Sequence, residues 1–113
     1  MNRFLTPLLM TTLITISCIS FSFANASFQN AKVEKIILHD FGGIYLYLEG
    51  GTQTNEPCEN KAAIYIAPSN QHYDKMYAAI LAAYHSSTTV SGWVNGCHRG
   101  YPKLSRLDLM PKQ

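Results

Sequence analysis

Charge is scarce in this chain, and catalytic signatures are absent from it. Only 14% of its 113 residues are charged, and no run of like charge occurs. Nucleic-acid binding therefore lacks its usual electrostatic footprint, and no nucleic-acid partner is expected. After Ala26 every apolar run is interrupted within a few residues, so nothing there reads as a membrane span. There is no Gly-x-Ser-x-Gly elbow, no His-Glu-x-x-His pair, no phosphate-binding glycine loop and no dinucleotide fingerprint. The pairs Gly42-Gly43 and Gly50-Gly51 flank an alternating segment and read as turns. Asp40 and Glu49 lie at opposite ends of that segment, too far apart for a shared acid and base role. No cofactor is implied, and the chain reads as non-enzymatic.

What is present begins with a leader. Met1, Asn2 and Arg3 form a short positive start. An apolar stretch centred on Leu8 to Ile16 follows, and Ala24-Asn25-Ala26 gives a small-x-small cleavage pattern. Residues 1–26 are expected to be a cleaved signal peptide. Residues 27–113 are then a single domain in the periplasm or outside the cell. A retained anchor is disfavoured by Pro7 and the many Thr and Ser residues. Lipoprotein processing at Cys18 is disfavoured because Thr15-Ile16-Ser17 lacks the usual leucine. Loss of Arg3 from the nine Lys and Arg leaves eight against seven Asp and Glu, close to neutral.

Hydrophobic periodicity orders the domain. Val33 to His39 reads as a strand, and Phe41-Gly42-Gly43 as a turn. Ile44 to Glu49 alternates, with Ile44, Leu46 and Leu48 inward and Tyr45 and Tyr47 outward. Gly50 to Asn60 is a polar loop. Ala62 to Ala67 is a third strand with Ile64 and Ile66 inward, ended by Pro68. A helix capped by Ser69 or Asn70 follows and ends at His85-Ser86-Ser87. Its inner face is drawn from Tyr73, Met76, Tyr77, Ile80, Leu81 and Tyr84. Thr88 to Val94 is a fourth strand, Asn95-Gly96 a turn, and Leu104 to Leu109 a fifth strand with Leu107 and Leu109 inward. The order β-β-β-α-β-β predicts an OB-fold-like five-stranded barrel plugged by the helix face of Met76, Tyr77, Ile80 and Leu81. An open antiparallel sheet with one packed helix gives the same string.

Loss of Cys18 with the leader leaves an even pair, Cys58 and Cys97, in an oxidising compartment. A disulfide between them is expected, closing a loop worth about 4 kcal/mol on the chain-entropy model. The competing reading is a metal held by Cys58, Cys97 and His98. No zinc-type spacing supports it, and strand neighbours point to opposite faces. No metal is therefore expected.

Aromatic residues are the surplus that could bind something. Tyr45 and Tyr47 would present flat apolar area with polar tips, suited to a sugar or a subunit contact. Trp93, opposite in face to Val90, Gly92 and Val94, is a further candidate. His98, Arg99 and Tyr101 form a hydrogen-bonding loop beside Cys97. A plain cross-strand aromatic pair, a packing tryptophan and an ordinary surface loop are the bland alternatives for the same residues.

The layout resembles small exported proteins of Gram-negative bacteria that carry a Cys, a helix like His72 to Ala83, and a strand, Val90 to Cys97, ending in a second Cys. It is more remotely similar to the OB-fold B subunits of AB5-type toxins of the subtilase cytotoxin group. That resemblance implies an oligomeric glycan-binding subunit, with no sugar-contacting residue matched position by position. The expectation is thus an exported binding module for a glycan or a protein, alone or as a homo-oligomer. A small periplasmic enzyme or enzyme inhibitor gathering His98, Arg99 and Asp40 or Glu49 is the first alternative. An envelope structural or assembly component is the second.

Overall fold

A computed structural model of the chain describes residues 25–111. The leader up to Ala24, with Cys18, lies outside the described residues. The elements are β1 (Ala26–Leu38), β2 (Ile44–Leu48), β3 (Ile64–Ile66), α1 (Tyr73–Ser86), β4 (Thr89–His98) and β5 (Tyr101–Leu109). The five strands form a mixed sheet that closes in a ring in the order β1-β2-β3-β5-β4, with β4 returning to β1. All neighbours are antiparallel except β3 and β5, which run parallel. The open antiparallel alternative is therefore not the arrangement adopted.

The ring closes because β1 serves two neighbours. Its first half pairs with β4, from Ala26↔Val94 to Lys32↔Thr89, and its second half with β2, from Val33↔Leu48 to Leu38↔Ile44. Register shifts at Phe28/Ala31 and Val33/Lys35 supply the bends that let one strand turn from one partner to the next. The strand is thus much longer than the apolar run Val33 to His39 indicates.

Inside the ring lie Phe28, Val33, Ile44, Leu46, Leu48, Ile64, Ile66, Val90, Val94 and Leu104. Each fully buried aliphatic side chain contributes roughly 1.5–3 kcal/mol. The expected inward faces of β2 and β3 are occupied as read, and on β4 the face of Val90 and Val94 turns inward. The helix contributes Ile80 and Ala83, with Tyr73, Met76 and Tyr77 packed against them. Leu81 and Tyr84 instead face solvent, at 41% and 51% exposure. The contact stripe is therefore narrower than the sequence period allowed.

The start of α1 also differs from expectation. Neither Ser69 nor Asn70 is its N-cap, and His72 holds that position without a side-chain cap bond. Asn70 acts one turn earlier. Its side-chain oxygen accepts the His72 N–H at 2.9 Å, and its carbonyl accepts the Tyr73 N–H at 2.9 Å. At the other end Ser87 is left-handed (φ 54°), and the Thr88 N–H returns to the Ala83 carbonyl at 3.0 Å.

The last hairpin corrects two further readings. Asn95-Gly96 is not the turn. β4 runs through it to His98, with Gly96 at φ 74° in a stretch where the β4 register against β5 shifts. The turn is Arg99-Gly100, at φ 49° and 86°, joining the pair His98↔Tyr101. Two successive positive φ values match the twist of a two-residue hairpin. On β5, Trp93 faces Arg106 while Val94 faces Leu104, so Ser105 is an extra residue. That bulge reverses the alternation. Leu104 is buried, Leu107 packs partly against the core, and Leu109 is exposed.

The loop between β2 and β3 is sewn down rather than free. Thr54 bridges to Phe28, the Thr52 N–H donates to the Lys61 carbonyl at 2.9 Å, and Lys61 Nζ donates to the Thr54 carbonyl at 2.9 Å. Cys58 and Cys97 are joined by a disulfide with a Cα–Cα distance of 5.8 Å. This pairing removes both sulfurs as thiolate ligands for a metal. No helix among the described residues is long and apolar enough to cross a membrane.

Candidate functional site

The outer surface of the ring carries a second cluster. Tyr45, Ala63 and Tyr65 are buried there, with Ile37, Tyr47, Ala67 and Tyr101 packed on them. Tyr45 points away from the ring interior, as its alternation requires, yet it is only 8% exposed. Its register neighbours explain why. Ile37 of β1 lies on one side and Tyr65 of β3 on the other, so the outward face of β2 is covered by its own sheet. Tyr47 is half-buried, with Lys35 Nζ 4.3 Å from its ring centroid. The two tyrosines are therefore not a freely exposed pair.

Tyr45 is instead the hub of a connected array of rings. Tyr65 lies 5.2 Å from it, Tyr101 5.1 Å in an edge contact, and His39 5.1 Å in another. Tyr65 stacks on His98 at 4.0 Å with an interplanar angle of 11°. His39 stacks on Phe41 at 4.6 Å. The Arg99 guanidinium sits 5.9 Å from the Phe41 centroid, at the outer limit of a cation–π contact. Geometries of this kind favour aromatic pairs by about 0.5–1.5 kcal/mol each beyond burial.

Local sequence builds this array in three places. The β1–β2 turn, closed by the Gly42 N–H to His39 carbonyl bond at 3.1 Å, carries His39 and Phe41. A Cβ on Gly43 would lie 2.5 Å from the Tyr65 ring, and Gly43 adopts φ 95°. Gly43 is thus more than a turn residue, because its bare backbone is the seat of Tyr65. The Arg99-Gly100 turn carries His98, Arg99 and Tyr101. It is fixed from below by the disulfide at Cys97 and by the Asn60 N–H to Gly100 carbonyl bond at 2.9 Å.

The array has a buried base and an exposed rim. Tyr45 and Tyr65 form the base. Phe41, 64% exposed, forms the rim with His39 and Arg99, while His98 and Tyr101 are half-buried between. Phenol, imidazole and guanidinium groups supply hydrogen-bonding tips around flat apolar faces. Such a surface can stack a ring and hold its polar edge.

Of the residues singled out in the sequence, Tyr45, Tyr47, His98, Arg99 and Tyr101 come together here. Trp93 does not. It is five residues from His98 on β4, roughly 15 Å along the strand, and pairs with Ser27 and Arg106. His39, Phe41 and Tyr65 belong to the array but were not marked by sequence reasoning. The one available signal was the strand alternation that sets Tyr65 on the same outer face as Tyr45. No hydrogen bond or ion pair among the described residues joins His98 or Arg99 to Asp40 or Glu49. Among those residues no group of three or more His, Cys, Asp or Glu is placed to hold a metal ion.

No family model, no curated protein and no solved structure matches the chain.

Proposed function

We propose that the chain is an exported, non-enzymatic binding module of OB type that takes a glycan on the aromatic array. The leader pattern and the disulfide support export to the periplasm or the cell exterior. Strand order and the parallel β3–β5 contact support the OB-type assignment. In that architecture, oligosaccharides and oligonucleotides are bound on the second and third strands and on the loops joining strands one to two and four to five. The observation that carries the reading is that the array spans those same parts. Tyr45 and Tyr65 come from β2 and β3, Phe41 from the first loop, and Arg99 from the last. This step is an analogy of fold joined to the chemistry of the surface. The low and balanced charge favours a sugar over a nucleic acid.

A pyranose has C–H faces that stack on Phe41 or His98, and hydroxyls that accept from Arg99 and exchange hydrogen bonds with Tyr101. The test is a glycan array probed with the exported protein and with Phe41→Ala and Arg99→Ala. Both side chains are exposed, so their removal leaves the ring intact. Phe41→Ala is expected to weaken binding about tenfold, the equivalent of one lost stacking contact of about 1.4 kcal/mol. A blank array with folded protein, or full binding by both variants, refutes the assignment.

A further inference from the structure

We infer that Trp93, Arg106, Asp108 and Ser105 form a second, separate saccharide subsite on the outer face of β4 and β5. Trp93 is 37% exposed, and no other aromatic ring among the described residues stacks on it. Beside it opens a pocket of about 300 Å³ lined by Asn25, Trp93, Ser105 and Arg106. Three features of the backbone assemble these groups. Arg106 is the register partner of Trp93 across the β4–β5 ladder. The extra residue in the ladder, Ser105, turns its side chain to the same pocket, and bulges of this kind re-aim side chains beside binding sites. Gly92 lets the two strands approach closely there, since a Cβ on it would lie 2.0 Å from the Arg106 carbonyl oxygen.

A surface ion pair joins two of the polar groups, with the Arg106 side chain 64% exposed. Arg106 Nε donates to Asp108 Oδ1 at 2.8 Å, and among the described residues no bond engages its terminal nitrogens, which can donate outward. Asp108 keeps its second oxygen as an acceptor. An indole face, a planar double donor and a carboxylate acceptor are the groups that grip a pyranose by one face and two adjacent hydroxyls. At the open end, Asn25 Oδ1 accepts from Ser105 Oγ at 3.4 Å. A cut after Ala26, as the leader reading expects, removes Asn25. It leaves the α-ammonium of Ser27, the other register partner of Trp93, as the donor at that end. This subsite does not depend on the aromatic array around Tyr45.

The chain contains one tryptophan, so its emission reports on this pocket alone. The exported protein is titrated with methyl glucoside, methyl galactoside and methyl N-acetylglucosaminide while tryptophan fluorescence is followed. At least one glycoside is expected to give a saturable change in emission. Arg106→Ala should weaken it about tenfold, while glycan-array binding through Phe41 is kept. Phe41→Ala should do the reverse. No saturable change with any of the three glycosides, in protein folded by circular dichroism, overturns the subsite. So does a response that disappears with Phe41→Ala, since it would then belong to the array.

Discussion

Reduction of the Cys58–Cys97 bond tests how the ring is held shut. The two cysteines are 39 residues apart in sequence. Closing a loop of that length removes about 4 kcal/mol of conformational freedom from the unfolded chain. For a domain of this size total stability is about 5–15 kcal/mol, so the bond is a large share of it. Its location adds a second expectation. Strand β3 has three residues and meets β5 through the single register pair Tyr65↔Lys103. That seam has the fewest register pairs in the ring. The bridge and the Asn60–Gly100 hydrogen bond lie beside it and tie the approach to β3 to the β4–β5 turn. Urea unfolding of the oxidised and the thiol-reduced protein should therefore differ by about 4 kcal/mol. The thermal midpoint should fall by roughly 15–30 °C. Native-state hydrogen exchange should accelerate first at residues 64–66 and 101–104, ahead of β1 and β4. A stability difference below about 1 kcal/mol would refute the entropic reasoning. An acceleration spread evenly over all strands would refute the assignment of the weak seam.

Two substitutions probe the array and the loop that frames it. Gly43→Ala is expected to destabilise the domain by about 2–4 kcal/mol, read by chemical denaturation, because it forces a side chain into positive φ and against the Tyr65 ring. It should also perturb the ring-current shifts of Tyr45 and Tyr65 in proton NMR, and unchanged shifts would sink the seat argument. Thr52 is 4% exposed, and its hydroxyl has no hydrogen-bond partner among the described residues. Thr52→Val keeps the shape and removes an unsatisfied donor, so it should be neutral or stabilise by about 1 kcal/mol. A loss of more than about 1 kcal/mol in the same assay would mean that the hydroxyl has a partner in solution.

Much of this fold is legible in the residues, and the misread strand positions share a cause. The alternation of Ile44 to Leu48, the apolar Ile64 and Ile66, and the faces of Val90, Gly92 and Val94 follow directly from a period of two. The Cys58–Cys97 pairing is legible once Cys18 is set aside with the expected leader. The strand errors arise where the backbone inserts a residue. Bulges carry no periodic signal of their own, because one extra residue only exchanges which side chains point inward. The insertion at Ser105 turned Leu104 inward, while Leu109 keeps the face of Leu107 and is exposed at the end of β5. Asn95-Gly96 has the composition of a hairpin turn and sits instead inside β4, while Arg99, with no turn preference, takes the left-handed position because the staple at Cys97 and Asn60 holds it there.

A different cause explains why the candidate sites were only half visible. Outward residues on one strand are exposed only if the neighbouring strands present small groups. That depends on the order in which strands meet, not on the strand itself. Tyr45 lost its exposure to Ile37 and Tyr65, which are eight residues before it and twenty after. Phe41 gained its role because a turn that looks like mere punctuation projects it over Arg99, fifty-eight residues away. Trp93 followed the opposite course. Its partners across the ladder are Ser27 and Arg106, neither of which covers an indole, so the one tryptophan remains open to solvent. Leaving over a third of a tryptophan in water forgoes part of the stabilisation that burying so large a ring provides. In a domain with so small a core, that forgone burial is the strongest physical reason to expect that something other than this chain completes the contact.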